Sequence, residues 1–167
     1  GVGFAEQGHT VSFIDLDSSK VEKLKNKQLP FFEPDLETYF SKKENFNRMS
    51  FHSSYNSLNW DESEIVFICV QTPNNIETNS VDTKFLESAI SEISKLNNKE
   101  IVITVKSTIP PYEIENVCNN VGYDQELLTF NPEFLREGSA VYDFFNPDRI
   151  VIGGLNTDKT NKLRKLY

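Results

Sequence analysis

A chain of 167 residues with 38% apolar and 25% charged side chains has the composition of one soluble globular domain, large enough to remove roughly 70% of its unfolded surface from water. Its formal net charge of −8, against 17 Lys and Arg, disfavours non-specific binding to nucleic acid or to an anionic membrane surface. No run nears the ~20 apolar residues of a membrane span, Cys69 and Cys118 are too few for a disulfide framework, and with only His9 and His52 a zinc site is hard to assemble.

The chain opens on Gly1-Val2-Gly3, which looks like the start of a dinucleotide fingerprint, but the sixth position holds Glu6 where Gly or Ala belongs. Val2–Gln7 therefore reads as the last turns of a helix, with Gly8 as its left-handed cap. Strands follow at Val11–Asp15, Ile65–Val70, Ile101–Lys106, Leu127–Phe130 and Arg149–Ile152, most of them continuously apolar, as strands buried on both faces are. A short strand is expected around Met49–His52. Helices are expected at Ser18–Lys27, Pro34–Lys43, Thr83–Leu96, Pro111–Asn120 and Asp158–Leu166. In the third, Phe85, Leu86, Ala89, Ile90, Ile93 and Leu96 share one apolar face, and Asp82 and Pro110-Pro111 are helix-start signals.

Strand alternating with helix predicts an α/β fold, a Rossmann-like doubly wound and mostly parallel sheet. Because the chain opens within the helix of a βαβ unit, the first strand and the glycine-rich loop are expected to be missing. Residues 1–167 then form an incomplete dinucleotide-binding domain whose central sheet has unpaired edges. The two isolated cysteines and the absence of a basic-then-apolar leader fit a reduced, cytoplasmic protein.

Four places carry chemistry. Asp15 ends a strand, where a carboxylate accepts hydrogen bonds from an adenosine ribose and repels a 2′-phosphate; alternatively Asp15 or Asp17 simply caps the next helix. Thr72 in Val70-Gln71-Thr72-Pro73 lies at a strand's carboxyl end, where this architecture binds ligands, though Thr-Pro is also ordinary turn chemistry. Ser107 and Thr108 stand at the end of another strand, suited either to a water or cofactor or to capping the helix after Pro111. The segment Asn131-Pro132-Glu133-Phe134-Leu135-Arg136-Glu137-Gly138 sets two carboxylates four apart, on one face if the backbone is helical. It suits proton transfer or water activation, or else is a solvated acidic helix start.

Together the stretches GFAEQGHTVSFIDLD, PFFEPDLE, CVQTPNN, VKSTIPP and FNPEFLREGSAVYDFFNPDRIVIGG resemble the UDP-glucose/GDP-mannose dehydrogenase family, in family order from one end of the chain to the other. The resemblance implies an NAD-dependent oxidation of a nucleotide sugar's C6 hydroxyl to the carboxylate, by two hydride transfers through a cysteine thioester, in the setting of polysaccharide biosynthesis. UDP-glucose is the implied substrate, with GDP-mannose and UDP-N-acetylmannosamine as alternatives. By motif, Asp15 and Lys20 would contact the adenosine ribose, and Thr72 and Ser107 would line the dinucleotide site. Thr108 would help position the catalytic water, Glu133 would be the general base, Leu135 and Arg136 would touch substrate, and Glu137 would lie between cofactor and substrate. The family's catalytic cysteine motif does not match Cys69 or Cys118, which read as buried structural residues. The chain alone is therefore expected to be inactive, and the complete enzyme to be a homodimer. A non-catalytic nucleotide-binding module is the competing expectation.

Overall fold

The computed structural model describes residues 1–75, 80–95 and 101–167. In chain order the elements are α1 (Val2–Glu6), β1 (Val11–Ile14), α2 (Ser18–Lys25), α3 (Leu36–Ser41), α4 (Lys43–Asn47), β2 (Met49–His52), β3 (Ile65–Ile68) and β4 (Asn74–Asn75). They continue with β5 (Ser80–Val81), α5 (Lys84–Ser94), β6 (Val102–Val105), α6 (Glu113–Val121), β7 (Leu128–Phe130), α7 (Ala140–Phe145), β8 (Gly153–Gly154) and α8 (Thr157–Arg164). Leu96, the expected end of the third long helix, lies outside the described residues.

The chain divides into two compact units, residues 1–59 with 134–149, and residues 60–133 with 150–167. In the first, β1 and β2 pair in parallel with Val11 opposite Met49. Apolar Ala5, Val21, Phe40, Met49 and Phe51 form its core. Phenylalanines dominate: Phe40, Phe46 and Phe51 sit within 6.0 Å of one another by ring centroid, and Phe13 stacks on Phe51 at 5.3 Å. Helix α1 ends as expected. Gly8 at φ +102° lets its N–H reach Ala5 O and lets His9 N–H reach Phe4 O, which satisfies the last carbonyls of the helix. Gly3 serves by close approach, since a Cβ there would stand 2.2 Å from the Phe144 ring of α7. Glu6 earns its unexpected place by joining α1 to α3 and α4: its carboxylate accepts from Lys42 Nζ and from Nδ2 of buried Asn45, both at 2.6 Å. Those two bonds hold the Glu6 carboxyl below its ordinary pKa.

In the second unit β3, β6 and β7 run parallel, and β8 adds antiparallel to β7. Strand β6 is buried along its whole length. Its one polar residue, Thr104, is satisfied by Thr129 on β7, with 2.7 Å between the two hydroxyls, and Thr129 donates onward to Ile103 O. The core is aliphatic, with Leu86, Ile90 and Ile93 of α5 and Ile114 and Val117 of α6 among its members. The small antiparallel pair β4–β5 stands apart.

The expected mostly parallel α/β fold is found. Helices α4 and α7 and the β4–β5 pair have no counterpart among the expected elements, and two expected elements differ. The apolar run Arg149–Ile152 is not a strand; pairing falls on Gly153 and Gly154, opposite Phe130 and Thr129. The expected helix Pro34–Lys43 begins only at Leu36 and ends at Ser41, and Lys42 in extended geometry separates it from α4. Within the described residues the sheets are three: β1–β2, β3–β6–β7–β8 and β4–β5.

Candidate functional site

In the first unit, Asp15 immediately follows β1. Its Oδ1 accepts the Asp17 N–H at 2.9 Å, and Oδ2 stands 3.6 Å from Lys20 Nζ. The capping of α2 is done by Asp17 instead, which accepts from the N–H groups of Ser19 and Lys20. The alternative role for Asp15 is therefore filled by its neighbour. A carboxylate with one oxygen committed to its own turn, at a strand's carboxyl end, can offer the other to ligand hydroxyls, and it fits an adenosine ribose.

Leu135, Arg136 and Glu137 belong to the same unit and are exposed. Arg136 is engaged by Asp143 through a two-point fork, Nε to Oδ2 at 3.0 Å and Nη2 to Oδ1 at 2.7 Å. The Arg136 backbone N–H and Ser139 Oγ also donate to Asp143 Oδ2. These bonds hold the Asp143 carboxyl far below the ordinary carboxylate range. The Arg136 side chain nevertheless keeps 72% of its surface open. Glu33, from the PFFEPDLE stretch, clamps the following turn, where Oε2 accepts Gly138 N–H at 3.0 Å and Oε1 accepts Ala140 N–H at 2.9 Å. Neither Glu33 nor Asp143 was marked by sequence reasoning. The signal available for Asp143 was weak, a carboxylate seven residues from an arginine, and Glu33 lies more than 100 residues from its partners.

In the second unit the loops after β3 and β6 are tied to each other. Thr72 Oγ1 donates to Thr108 O at 2.7 Å, and Ser107 Oγ donates to Val70 O at 2.6 Å. Ser107 therefore does not cap α6, whose N-cap is Tyr112 without a side-chain bond. Thr108 keeps an exposed side chain. Glu133, three residues beyond β7, has its Oε2 3.3 Å from Lys106 Nζ, and Lys106 follows β6 directly. Asn131, only 2% exposed, accepts from Lys106 Nζ at 3.1 Å and from Tyr167 Oη at 2.5 Å on the same amide oxygen. Its Nδ2 donates to Val151 O at 2.9 Å. Partial burial and the neighbouring Glu133 carboxylate push the Tyr167 hydroxyl up to about 12.

The structure thus brings Thr72, Ser107, Thr108 and Glu133 to the carboxyl end of one parallel sheet. Residues 131–136 carry no regular secondary structure and a turn covers 137–139, so the helical backbone that would align Glu133 with Glu137 does not form. Cys118 is buried as expected. Cys69, at the end of β3, is instead exposed at its surface, although crowding by protein still desolvates and raises its thiol.

The UDP-glucose/GDP-mannose dehydrogenase family, NAD binding domain, matches residues 1–167. A UDP-glucose 6-dehydrogenase of Rickettsia bellii is 40% identical over 170 residues, which cover 100% of this chain and 38% of that protein. A solved UDP-glucose dehydrogenase from the hyperthermophilic archaeon Pyrobaculum islandicum superposes with a TM-score of 0.84 at 33% identity, over 99% of this chain and 40% of that one. The GDP-mannose dehydrogenase of Pseudomonas aeruginosa, solved as a ternary complex, gives a TM-score of 0.86 at 26% identity, with coverage of 99% and 40%. The chain spans about two fifths of the length of these relatives.

Proposed function

The chain belongs to the UDP-glucose/GDP-mannose dehydrogenase family, whose NAD-binding domain it matches throughout, and on that premise we propose that it is the cofactor-binding part of an enzyme that oxidises UDP-glucose to UDP-glucuronate. UDP-glucose is preferred among nucleotide sugars because the Rickettsia bellii enzyme of that name is 40% identical, whereas the GDP-mannose enzyme is 26% identical. The observation that carries a catalytic reading over a mere binding module is Glu133. A carboxylate held by an ammonium at the sheet's carboxyl end, beside hydroxyl-bearing loops, serves proton transfer and has no evident use in passive binding.

NAD, when bound, supplies the acceptor for one hydride per oxidation, hence two per sugar carried from alcohol to acid. This chain's residues hold and orient. Asp15, supported by Lys20, takes the adenosine ribose hydroxyls and disfavours a 2′-phosphate. Thr72 and Ser107 fix the two strand-end loops that line the dinucleotide. In the last step Glu133 accepts a proton from a water held near Thr108. The water oxygen bonds to the thioester carbonyl carbon, the C–S bond breaks, and the thiolate returns to a cysteine that neither Cys69 nor Cys118 provides. Leu135 and Arg136 contact the substrate, and Glu137 lies between cofactor and substrate. The complete enzyme is placed in the cytoplasm, acting as a homodimer in the supply of uronic acid units for polysaccharides.

The test is a side-by-side rate comparison of the complete protein with UDP-glucose, GDP-mannose and UDP-N-acetylmannosamine, followed by NADH absorbance. Preference for UDP-glucose is expected. NAD binding with no turnover of any of the three sugars would favour the non-catalytic module.

A further inference from the structure

The side chain that holds Glu133 has no role in the chemistry described above. Lys106 follows β6, its side chain is only 20% exposed, and its ammonium stands between Glu133 Oε2 at 3.3 Å and Asn131 Oδ1 at 3.1 Å. Asn131 is itself immobilised. Its amide oxygen also accepts from Tyr167, its Nδ2 donates to Val151 O, and its backbone N–H donates to Val105 O at 3.0 Å. An amide tied on all three sides is a rigid anchor. The ammonium it holds can fix one carboxylate oxygen of Glu133 in place.

The segment after β7 carries no regular secondary structure through Arg136, and the Lys106 ammonium, from the end of the adjacent strand, is a fixed partner of the Glu133 carboxylate. We propose that Lys106 is the positioning residue of the thioester hydrolysis: by its grip on Glu133 Oε2 it sets the orientation of the carboxylate toward the attacking water. The proposal rests on Glu133 being the general base. The proton passes from water to Glu133, the water oxygen joins the acyl carbon, and the sulfur departs as thiolate; Lys106 exchanges no proton. A merely structural ion pair at partial exposure would contribute little and would not single out one chemical step.

The experiment uses the complete enzyme with UDP-glucose and NAD⁺, with intact-protein mass spectrometry during turnover and rapid-mixing NADH traces. With Lys106→Met, both oxidations should proceed as a burst while a sugar-derived acyl adduct accumulates. The steady-state kcat should fall about 10- to 100-fold, the cost of a misplaced reacting group, and KM for UDP-glucose should hardly move. Lys106→Arg should restore most of the rate and abolish the adduct. Should Lys106→Met fold poorly, Lys106→Gln, which keeps a donor to Asn131 but removes the charge, takes its place with the same expectation. A slower Lys106→Met enzyme without adduct, alongside a Glu133→Gln enzyme that accumulates it, overturns the role of Lys106 and leaves the base intact. No adduct in Glu133→Gln overturns the assignment of the base itself, and this proposal with it.

Discussion

At the scale of single residues, the site is built from carboxylates whose partners differ in kind. Asp15 is held by its own turn and one lysine, and its second oxygen is the proposed contact to the cofactor's ribose. Asp15→Ala should raise KM for NAD⁺ about 10- to 100-fold, the range for losing hydrogen bonds to a charged group, and should narrow the preference for NAD⁺ over NADP⁺; steady-state kinetics with both cofactors checks it. Asp143 and Glu6 have folded-state pKa values below their ordinary ones, set by Arg136 and by Lys42 with Asn45. Their stabilisation is therefore complete above the unfolded carboxylate pKa of about 4 and is lost as pH falls through the folded values. Asp143→Asn should remove part of that acid-side loss, so that the variant's melting temperature falls less than wild type's between pH 7 and pH 3.5. Local spacing could reveal Asp15, Thr72 and Ser107, because each ends or follows an apolar strand. It could not reveal Lys106 as the partner of Glu133, or Glu33 as the clamp of Gly138, because those contacts close over distances in sequence that no periodicity encodes.

At the scale of elements, continuous apolar runs placed β3, β6 and β7 to within a few residues, as expected for strands in a parallel sheet. The same rule misplaced β8. Its pairing falls on Gly153 and Gly154 and not on the apolar residues before them. Likewise the four-residue spacing of Glu133 and Glu137 would give one helical face, yet the backbone from Asn131 to Arg136 is irregular. Close packing between elements sets two stability expectations. Gly3→Ala would drive a Cβ into the Phe144 ring and should cost about 1–3 kcal/mol, as overpacking does. Phe40→Ala, which empties a site only 1% exposed, should cost about 3–5 kcal/mol. Urea unfolding of the complete protein, followed by far-UV circular dichroism, measures both.

At the scale of the whole molecule, the chain has the Rossmann-like fold of its dehydrogenase relatives while spanning about two fifths of their length. Within the described residues β1 has β2 as its only strand neighbour, and β3 has β6. With no thiol nucleophile assigned to Cys69 or Cys118, residues 1–167 alone should form no NADH from UDP-glucose. The decisive measurement is the stoichiometry of NADH formed per UDP-glucose consumed by the complete protein under excess NAD⁺. Two NADH per sugar are expected, the electron count of an alcohol carried to a carboxylate; one, or none, would contradict the proposed oxidation.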